Sequence, residues 1–204
     1  LICNTLEEAD AGIDAILSGK FGDAGNKIVV EQYLYGKEVS VFALVHGSQV
    51  QWLASAQDHK QAGEGDTGPN TGGMGAYSPA PAMTPALEAK VMQQVLLPTA
   101  RQMADDGRPY TGVLFAGLMI VDEEPILLEY NVRFGDPECQ VILPRLRSDL
   151  LTLLIGARDG ALERVSARWS DDTALTVVLA NKGYPDSYGT GSEIRGITEA
   201  NELE

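Results

Sequence analysis

Leu127-Leu128-Glu129-Tyr130-Asn131-Val132-Arg133-Phe134-Gly135-Asp136-Pro137-Glu138 is the segment from which the rest of the chain can be interpreted. Its first half has the apolar content and alternation of a β-strand. Successive strand side chains point to opposite faces, so Glu129 and Asn131 share one face about 6–7 Å apart at the backbone, with Leu128 and Tyr130 on the other. A carboxylate and a carboxamide oxygen in that relation suit a hard cation such as Mg²⁺, which takes oxygen ligands and is commonly held by one or two protein groups plus substrate phosphates. An ordinary half-exposed strand with polar residues turned to water has the same alternation, and the spacing alone does not separate the two. Arg133 adds weight to the first. If the extended chain persists two residues further, its guanidinium joins Glu129 and Asn131, where a planar fork grips phosphate or a developing anion. Asp136 and Glu138 flank Pro137 at the predicted start of a helix, as caps or as groups that receive an amine.

Upstream, Thr111 to Val121 and Pro125 to Asn131 are predicted strands joined by the acidic turn Asp122-Glu123-Glu124. Earlier still, Ile28 to Leu34, Glu38 to Val45 and a run ending near Ser55 are β-rich and predict a meander. A Thr5/Glu8 capping box opens an amphipathic helix that Gly19 stops. Thr84 and Pro85 start another helix, which Pro98 should kink and Gly107 should end. Glu138 to about Leu146 and, with Ser148 as cap, Asp149 to Ala157 are predicted helical. Ala174 to Ala180 is expected as a buried strand and Gly183-Tyr184-Pro185 as a turn. The order of elements is α+β, without regular β-α-β alternation.

Between Ala56 and Ala82 the sequence has no periodicity and is rich in glycine. Loops of this length inside compact domains are usually functional or disordered. Its Gly72-Gly73-Met74-Gly75 run lets backbone amides approach a ligand without Cβ interference, yet no Gly-Lys-Ser/Thr follows, so it is not a Walker sequence. A lid and a plain connector fit the composition equally. Gln57-Asp58-His59-Lys60 forms a dense polar tetrad at a predicted strand end just upstream of that run. His59 lacks an accompanying nucleophile motif, which makes a surface or structural role the simpler one. Glu31-Gln32-Tyr33-Leu34 followed by Glu38 would offer backbone groups to an adenine edge and a carboxylate to ribose hydroxyls; solubility charges on an edge strand account for the same residues.

The composition sets limits. With 29 Asp+Glu against 15 Lys+Arg in 204 residues, the net charge is −14, which argues against nucleic-acid wrapping, since phosphate backbones are gripped by clustered cations. No apolar run approaches the roughly 18–20 residues that span a bilayer, and no signal-peptide pattern opens the chain. A cytoplasmic address is expected. Cys3 and Cys139 are too few for a disulfide framework. The first methionine is Met74, and Asn201 to Glu204 has neither a capping pattern nor a final apolar element, so further chain is expected upstream of Leu1 and beyond Glu204. A composition shift puts an expected domain boundary near residue 160, giving domains 1–160 and 161–204.

Taken together, Ser55-Ala-Gln-Asp-His-Lys60, the block from Thr67 to Pro79, Tyr110-Thr-Gly112, Ala116-Gly-Leu-Met119 and Leu128 to Glu138 closely resemble the phosphoribosylamine–glycine ligase family, over about Thr5 to Glu193. The resemblance implies an incomplete ATP-grasp fold, antiparallel sheets with flanking helices, followed by the start of a small β-rich domain. It implies an ATP-dependent ligase of purine synthesis that joins glycine to 5-phosphoribosylamine, with ATP and Mg²⁺ or Mn²⁺ as cofactors. On matching positions, Glu129 and Asn131 are implied as metal ligands. Glu31 and Leu34 are implied at adenine, Glu38 at ribose, and Arg133 with Lys60 as catalytic residues at the transferring phosphoryl group. Asp58, Asn70, Thr71, Gly72, Gly73, Met74, Gly75 and Asp136 would border substrate. Gln32 departs from the family, which often has a second glutamate there. Another ATP-grasp carboxylate–amine ligase and a non-catalytic module are the competing expectations, and a chain lacking its flanking parts is expected to turn over poorly alone.

Overall fold

The fold was analysed in a computed structural model that describes residues 1–203. The chain divides into two units, Leu1–Tyr35 and the remainder from Gly36. The first contains helix α1 (Leu6–Ala15), a π-type turn Ile16–Lys20 and a 3₁₀ turn Gly22–Asn26. Thr5 caps α1 as expected, its hydroxyl accepting from the Glu8 amide at 3.1 Å. The return bond of the capping box is displaced by one residue: Glu8 Oε2 accepts from the Asn4 amide at 2.7 Å. The strand expected over Ile28 to Leu34 does not form, and Val29 and Val30 are exposed. β-propensity expresses fit to a paired, half-buried surface, and no neighbouring strand pairs with this stretch.

From Gly36 the strands are β1 (Lys37–His46), β2 (Gln49–Asp58), β3 (Gln61–Gly63), β4 (Thr67–Asn70) and β5 (Gly75–Ser78). Helices α2 (Pro85–Val91) and α3 (Leu97–Asp105) follow, joined through a π-type turn at Met92–Leu96, which ends two residues ahead of the expected disturbance at Pro98. Then come β6 (Thr111–Val121), β7 (Glu124–Asn131), α4 (Cys139–Ile142), α5 (Leu150–Arg158), β8 (Ala174–Val177) and α6 (Ile197–Ala200). One sheet has the order β7-β6-β1-β2-β5-β8 with antiparallel pairing throughout, and β3-β4 form a separate hairpin. The glycine-rich stretch is therefore strand for much of its length, not a single long loop.

β1 explains the layering. Val39, Val41 and Val45 pack with Val91, Leu96 and Ala100 on one face, while Phe42 and Leu44 pack with Val141, Ile142 and Leu153 on the other. A strand covered on both faces loses the usual polar alternation, and Val41 to Val45 are all fully buried. Each such side chain contributes about 1.5–3 kcal/mol relative to exposure. At the β6–β7 turn, Asp122 and Glu123 both have positive φ, 48° and 62°, as a two-residue hairpin turn requires.

Two expectations are corrected. Asp149, not Ser148, caps α5, accepting from the Thr152 amide at 2.7 Å, while Ser148 Oγ donates to the Ser166 carbonyl. Ala174 to Ala180 is not a buried strand: β8 stops at Val177 and lies at the sheet edge, so Leu175, Val177 and the following Leu179 are exposed. Beyond residue 160, the Arg147 amide donates to the Arg168 carbonyl and β8 pairs with β5, which ties Arg168 and Ala174–Val177 to the preceding elements.

Candidate active site

Tyr130 orients the central motif. Its ring packs against the α2–α3 side of the core and its hydroxyl lies 2.5 Å from Thr99 Oγ1 and 3.3 Å from the Val95 carbonyl. Anchoring Tyr130 inward turns Glu129 and Asn131 outward together, and Asn131 Nδ2 donates to Glu129 Oε1 at 3.3 Å. β7 carries a bulge at Leu128, where Leu118 pairs with Leu127 and Gly117 with Glu129. The bulge precedes the pair, so their shared face survives. A Cβ at Gly117 would sit 3.3 Å from Glu129 Cγ, which is why a glycine opposite suits this side chain. The strand ends at Asn131 and the chain bends at Val132 and Arg133, so the expected extension to Arg133 fails. The bend nonetheless brings Arg133 to the same cavity, with Nη1 donating to the Phe134 carbonyl at 2.9 Å.

That cavity, about 250 Å³, has Glu129, Asn131 and Arg133 on one wall and Asp58 and Lys60 on another. Asn70, Thr71 and Gly72 close a third side, and Asp136, Glu138 and Phe115 complete it. Nine of the residues expected from the sequence thus converge. Gly73, Met74 and Gly75 are not among the residues that line the cavity. Thr71 Oγ1 donates to the Lys60 carbonyl at 2.8 Å and accepts from the Gly73 amide at 3.0 Å, which fixes the loop to the end of β2. Gly73 has φ +130°, and a Cβ there would lie 2.3 Å from Pro137 Cδ and 2.8 Å from Asp58 Oδ1. Gly73→Ala is expected to displace the loop and lower kcat/KM by about 100-fold, as small misplacements do. Gly65→Ala, where a Cβ meets nothing within 4 Å, should stay within about threefold by steady-state kinetics despite its backbone strain.

Glu31 and Leu34 belong to the first unit. Glu31 borders an apolar cleft there with Ile13, Ile16 and Val29, and Leu34 is half-buried. Glu38, at the start of β1, forms an ion pair with Lys60. Burial acts to lower the Lys60 pKa, but the hydrogen bond and charge of Glu38, with Glu129 and Asp58 nearby, raise it on balance. Lys60 is therefore a persistent cation. Asp136 accepts from Gln140 Nε2 at 2.6 Å. His59 lies on the exposed side, 3.5 Å from Asp66 Oδ1.

Two features were not visible in the sequence. Glu138 is 3% exposed and its Oε1 accepts from Ser40 Oγ at 2.8 Å; Gly135 is obligatory beside it, since a Cβ would fall 2.1 Å from Glu138 Oε2. Asp58 Oδ1 is shut off from solvent and has no hydrogen-bond partner. Burial first, then the negative charge of Glu138, push the Asp58 carboxyl up to about 7. A carboxyl raised above its unfolded value contributes stability below pH ~4 that is lost as pH rises through ~7. Asp58→Asn should therefore stabilise the protein at pH 8 by about 1–2 kcal/mol after discounting for solvent screening, with no gain at pH 4. Urea denaturation at the two pH values tests this; an equal shift at both contradicts it.

The chain is similar to known proteins in sequence and in fold. The model of the phosphoribosylglycinamide synthetase ATP-grasp (A) domain matches residues 1–139. The chain belongs to this family. The phosphoribosylamine–glycine ligase of Agrobacterium fabrum is 56% identical over 201 residues, covering 98% of this chain and 48% of that protein. The crystal structure of the Thermotoga maritima phosphoribosylamine–glycine ligase superposes with a TM-score of 0.78 at 32% identity, over 93% of this chain and 48% of that one. The chain spans about half the length of these synthetase relatives. The biotin carboxylase domain of the Hydrogenobacter thermophilus 2-oxoglutarate carboxylase, solved with Mg-ADP and bicarbonate, has a TM-score of 0.59 at 17% identity, over 86% of this chain and 37% of that one. At that identity it shares the ATP-grasp fold and no more. Among the described residues no helix is long and apolar enough to cross a membrane.

Proposed function

We propose that this chain carries the ATP-grasp centre of a phosphoribosylamine–glycine ligase. In that reaction ATP phosphorylates the carboxylate of glycine, and the amine of 5-phosphoribosylamine attacks the glycyl phosphate, giving glycinamide ribonucleotide, ADP and phosphate. The observation that carries the reading is the convergence of Glu129, Asn131, Arg133 and Lys60 on one cavity. Family membership and 56% identity to a ligase of that name support the substrate assignment.

The donor set suits a magnesium ion. Among the described residues no cluster of three or more His, Cys, Asp or Glu side chains forms a self-sufficient metal cage. One carboxylate beside one carboxamide matches an ion whose remaining positions are filled by phosphate oxygens and water, and Mn²⁺ would fit the same hard donors. Bound there, the ion would neutralise charge on the transferring phosphoryl group. Rotation of the Asn131 amide by 180° presents its Oδ1 beside Glu129 Oε1. Arg133 and Lys60 face the same space as fixed cations, able to orient phosphate oxygens and stabilise the negative charge that grows on transfer. Glu38 holds Lys60 until a ribose hydroxyl or phosphate competes for either partner. Glu31 and Leu34 are assigned to adenine. Asp58, Asn70 to Gly75 and Asp136 are assigned to the substrate side, and residues 1–160 to the catalytic domain.

The test is acceptor dependence in the full-length protein. ADP release should require both glycine and phosphoribosylamine and should not respond to other amino acids. Equal stimulation by a different amino acid would assign the chain to another ATP-grasp amine ligase, and no ADP release with any acceptor would make it a non-catalytic module.

A further inference from the structure

The glycine stretch that walls the cavity is held from two sides. On the β2 side, the Thr71 and Met74 amides donate to the Lys60 and His59 carbonyls, both at 2.7 Å, and the Gly73 amide donates to the Thr71 hydroxyl. The Gly72 amide turns the other way. Its partner is the Tyr184 hydroxyl, 112 residues distant in sequence and 3.2 Å away. A Cβ at Gly72 would stand 3.5 Å from the same oxygen, so the phenol lies directly against a residue that lines the cavity. Tyr184 itself is half-buried and stands outside the lining.

The chain around and beyond β8 is shaped to deliver this hydroxyl. β8 pairs with β5 from Ser78–Ala174 to Gly75–Val177, and the Val178 amide continues the ladder by donating to the Met74 carbonyl at 2.9 Å. A compact loop follows. Asn181 Nδ2 donates to the Gly189 carbonyl at 2.6 Å, the Tyr184 amide donates to the Asn181 carbonyl at 3.1 Å, and the Tyr184 ring meets Tyr188 edge to face with centroids 5.5 Å apart. Gly183 has φ +104°, and a Cβ there would fall 2.5 Å from the Ser187 carbonyl oxygen, so the turn that presents Tyr184 needs a glycine. Surface loops packed by their own side chains are frequently functional. We propose that Tyr184 is a positioning residue of the ligase: its hydroxyl holds the Gly72 amide and thereby sets the wall formed by Asn70, Thr71 and Gly72. This rests on the assignment of that wall to the substrate side given above. A phenol supplies both an acceptor oxygen and one donor proton. Phenylalanine keeps the ring and its contact with Tyr188 but leaves the Gly72 amide to water.

The experiment uses the full-length protein and two readouts, hydrogen exchange followed by mass spectrometry on the peptide spanning residues 70–74, and steady-state kinetics beside separate Mg-ATP binding. In Tyr184→Phe, exchange in that peptide should quicken at least about fivefold, while peptides from β1 and β6 keep their protection. The kcat/KM for glycine and phosphoribosylamine should fall about tenfold, as a small displacement of a substrate-positioning wall does, with the Kd of Mg-ATP held within about twofold. Tyr184→Ala, which also removes the ring, should lose about 10²-fold in kcat/KM. Tyr188→Phe keeps the paired rings and should stay within about twofold in both readouts. Unchanged exchange or unchanged kcat/KM in Tyr184→Phe would overturn the proposal. So would an equal loss of Mg-ATP affinity accompanied by a lowered melting temperature, the pattern of a residue that merely supports the fold. No ADP release from the unaltered protein with any acceptor would instead contradict the ligase reading, and the exchange at residues 70–74 would still decide whether Tyr184 fixes the loop.

Discussion

Glu129→Ala should lower turnover by about 10³-fold, some 4 kcal/mol of transition-state stabilisation, with little effect on folding. The side chain is exposed and makes one weak contact, to Asn131 Nδ2 at 3.3 Å, so its removal leaves no buried group unsatisfied. Exposed positions of this kind normally change stability by under about 0.5 kcal/mol. Its value lies in charge. No other carboxylate sits on the same strand face next to Asn131, and a carboxamide alone is a poor ligand for a divalent ion. The check is turnover across a magnesium titration beside a thermal melt. A variant that saturates with magnesium as the unaltered protein does, at comparable kcat, would remove Glu129 from the centre.

Arg133→Ala should cost about 10²–10³-fold in kcat, the range for loss of one group aimed at developing charge. Nucleotide affinity should change less, because an interaction that strengthens in the transition state appears in kcat and not in ground-state binding. Arg133 is exposed and donates only to the adjacent Phe134 carbonyl, so the fold should tolerate the change. Arg133→Lys should recover only part of the rate, since an ammonium lacks the planar fork. Single-turnover ADP formation with nucleotide binding measured separately provides the check, and an unchanged kcat with raised KM would make Arg133 a binding group only.

The relation between Glu129 and Asn131 was legible in the sequence because strand periodicity is local and Tyr130 between them is a good inward anchor. The bulge at Leu128 would have spoiled that inference had it fallen two residues later, and nothing in the sequence announces it. The bend at Val132 and Arg133 was missed for a related reason: β7 loses its last ladder partner at Phe115, and where pairing ends is a property of two strands. The same logic undid the strand expected over Ile28 to Leu34, which has the right residues and no neighbour. Ala174 to Val177 has a neighbour on one side only.

Burial that depends on long-range contacts was invisible. Ser40 and Glu138 are 98 residues apart and meet because β1 and the turn after Pro137 share the site. Asp58 looked like one polar residue among four at a strand end. Its isolation from solvent arises only when the glycine loop folds back on it, and the signal for that approach was Gly73, one glycine among several. Family resemblance supplied what neither periodicity nor spacing could, the identity of the acceptor.

The central claim is that Glu129, Asn131 and Arg133 form a single site for a divalent ion and the phosphates it bridges. Its most direct test is electron paramagnetic resonance of Mn²⁺ titrated into the full-length protein with ATP, comparing the unaltered chain with Glu129→Ala and Asn131→Ala. The free Mn²⁺ signal should disappear on adding the unaltered protein with nucleotide, and at least about tenfold more of either variant should be needed for the same loss, roughly 1.4 kcal/mol in binding. Equal titration curves for all three proteins would contradict the account.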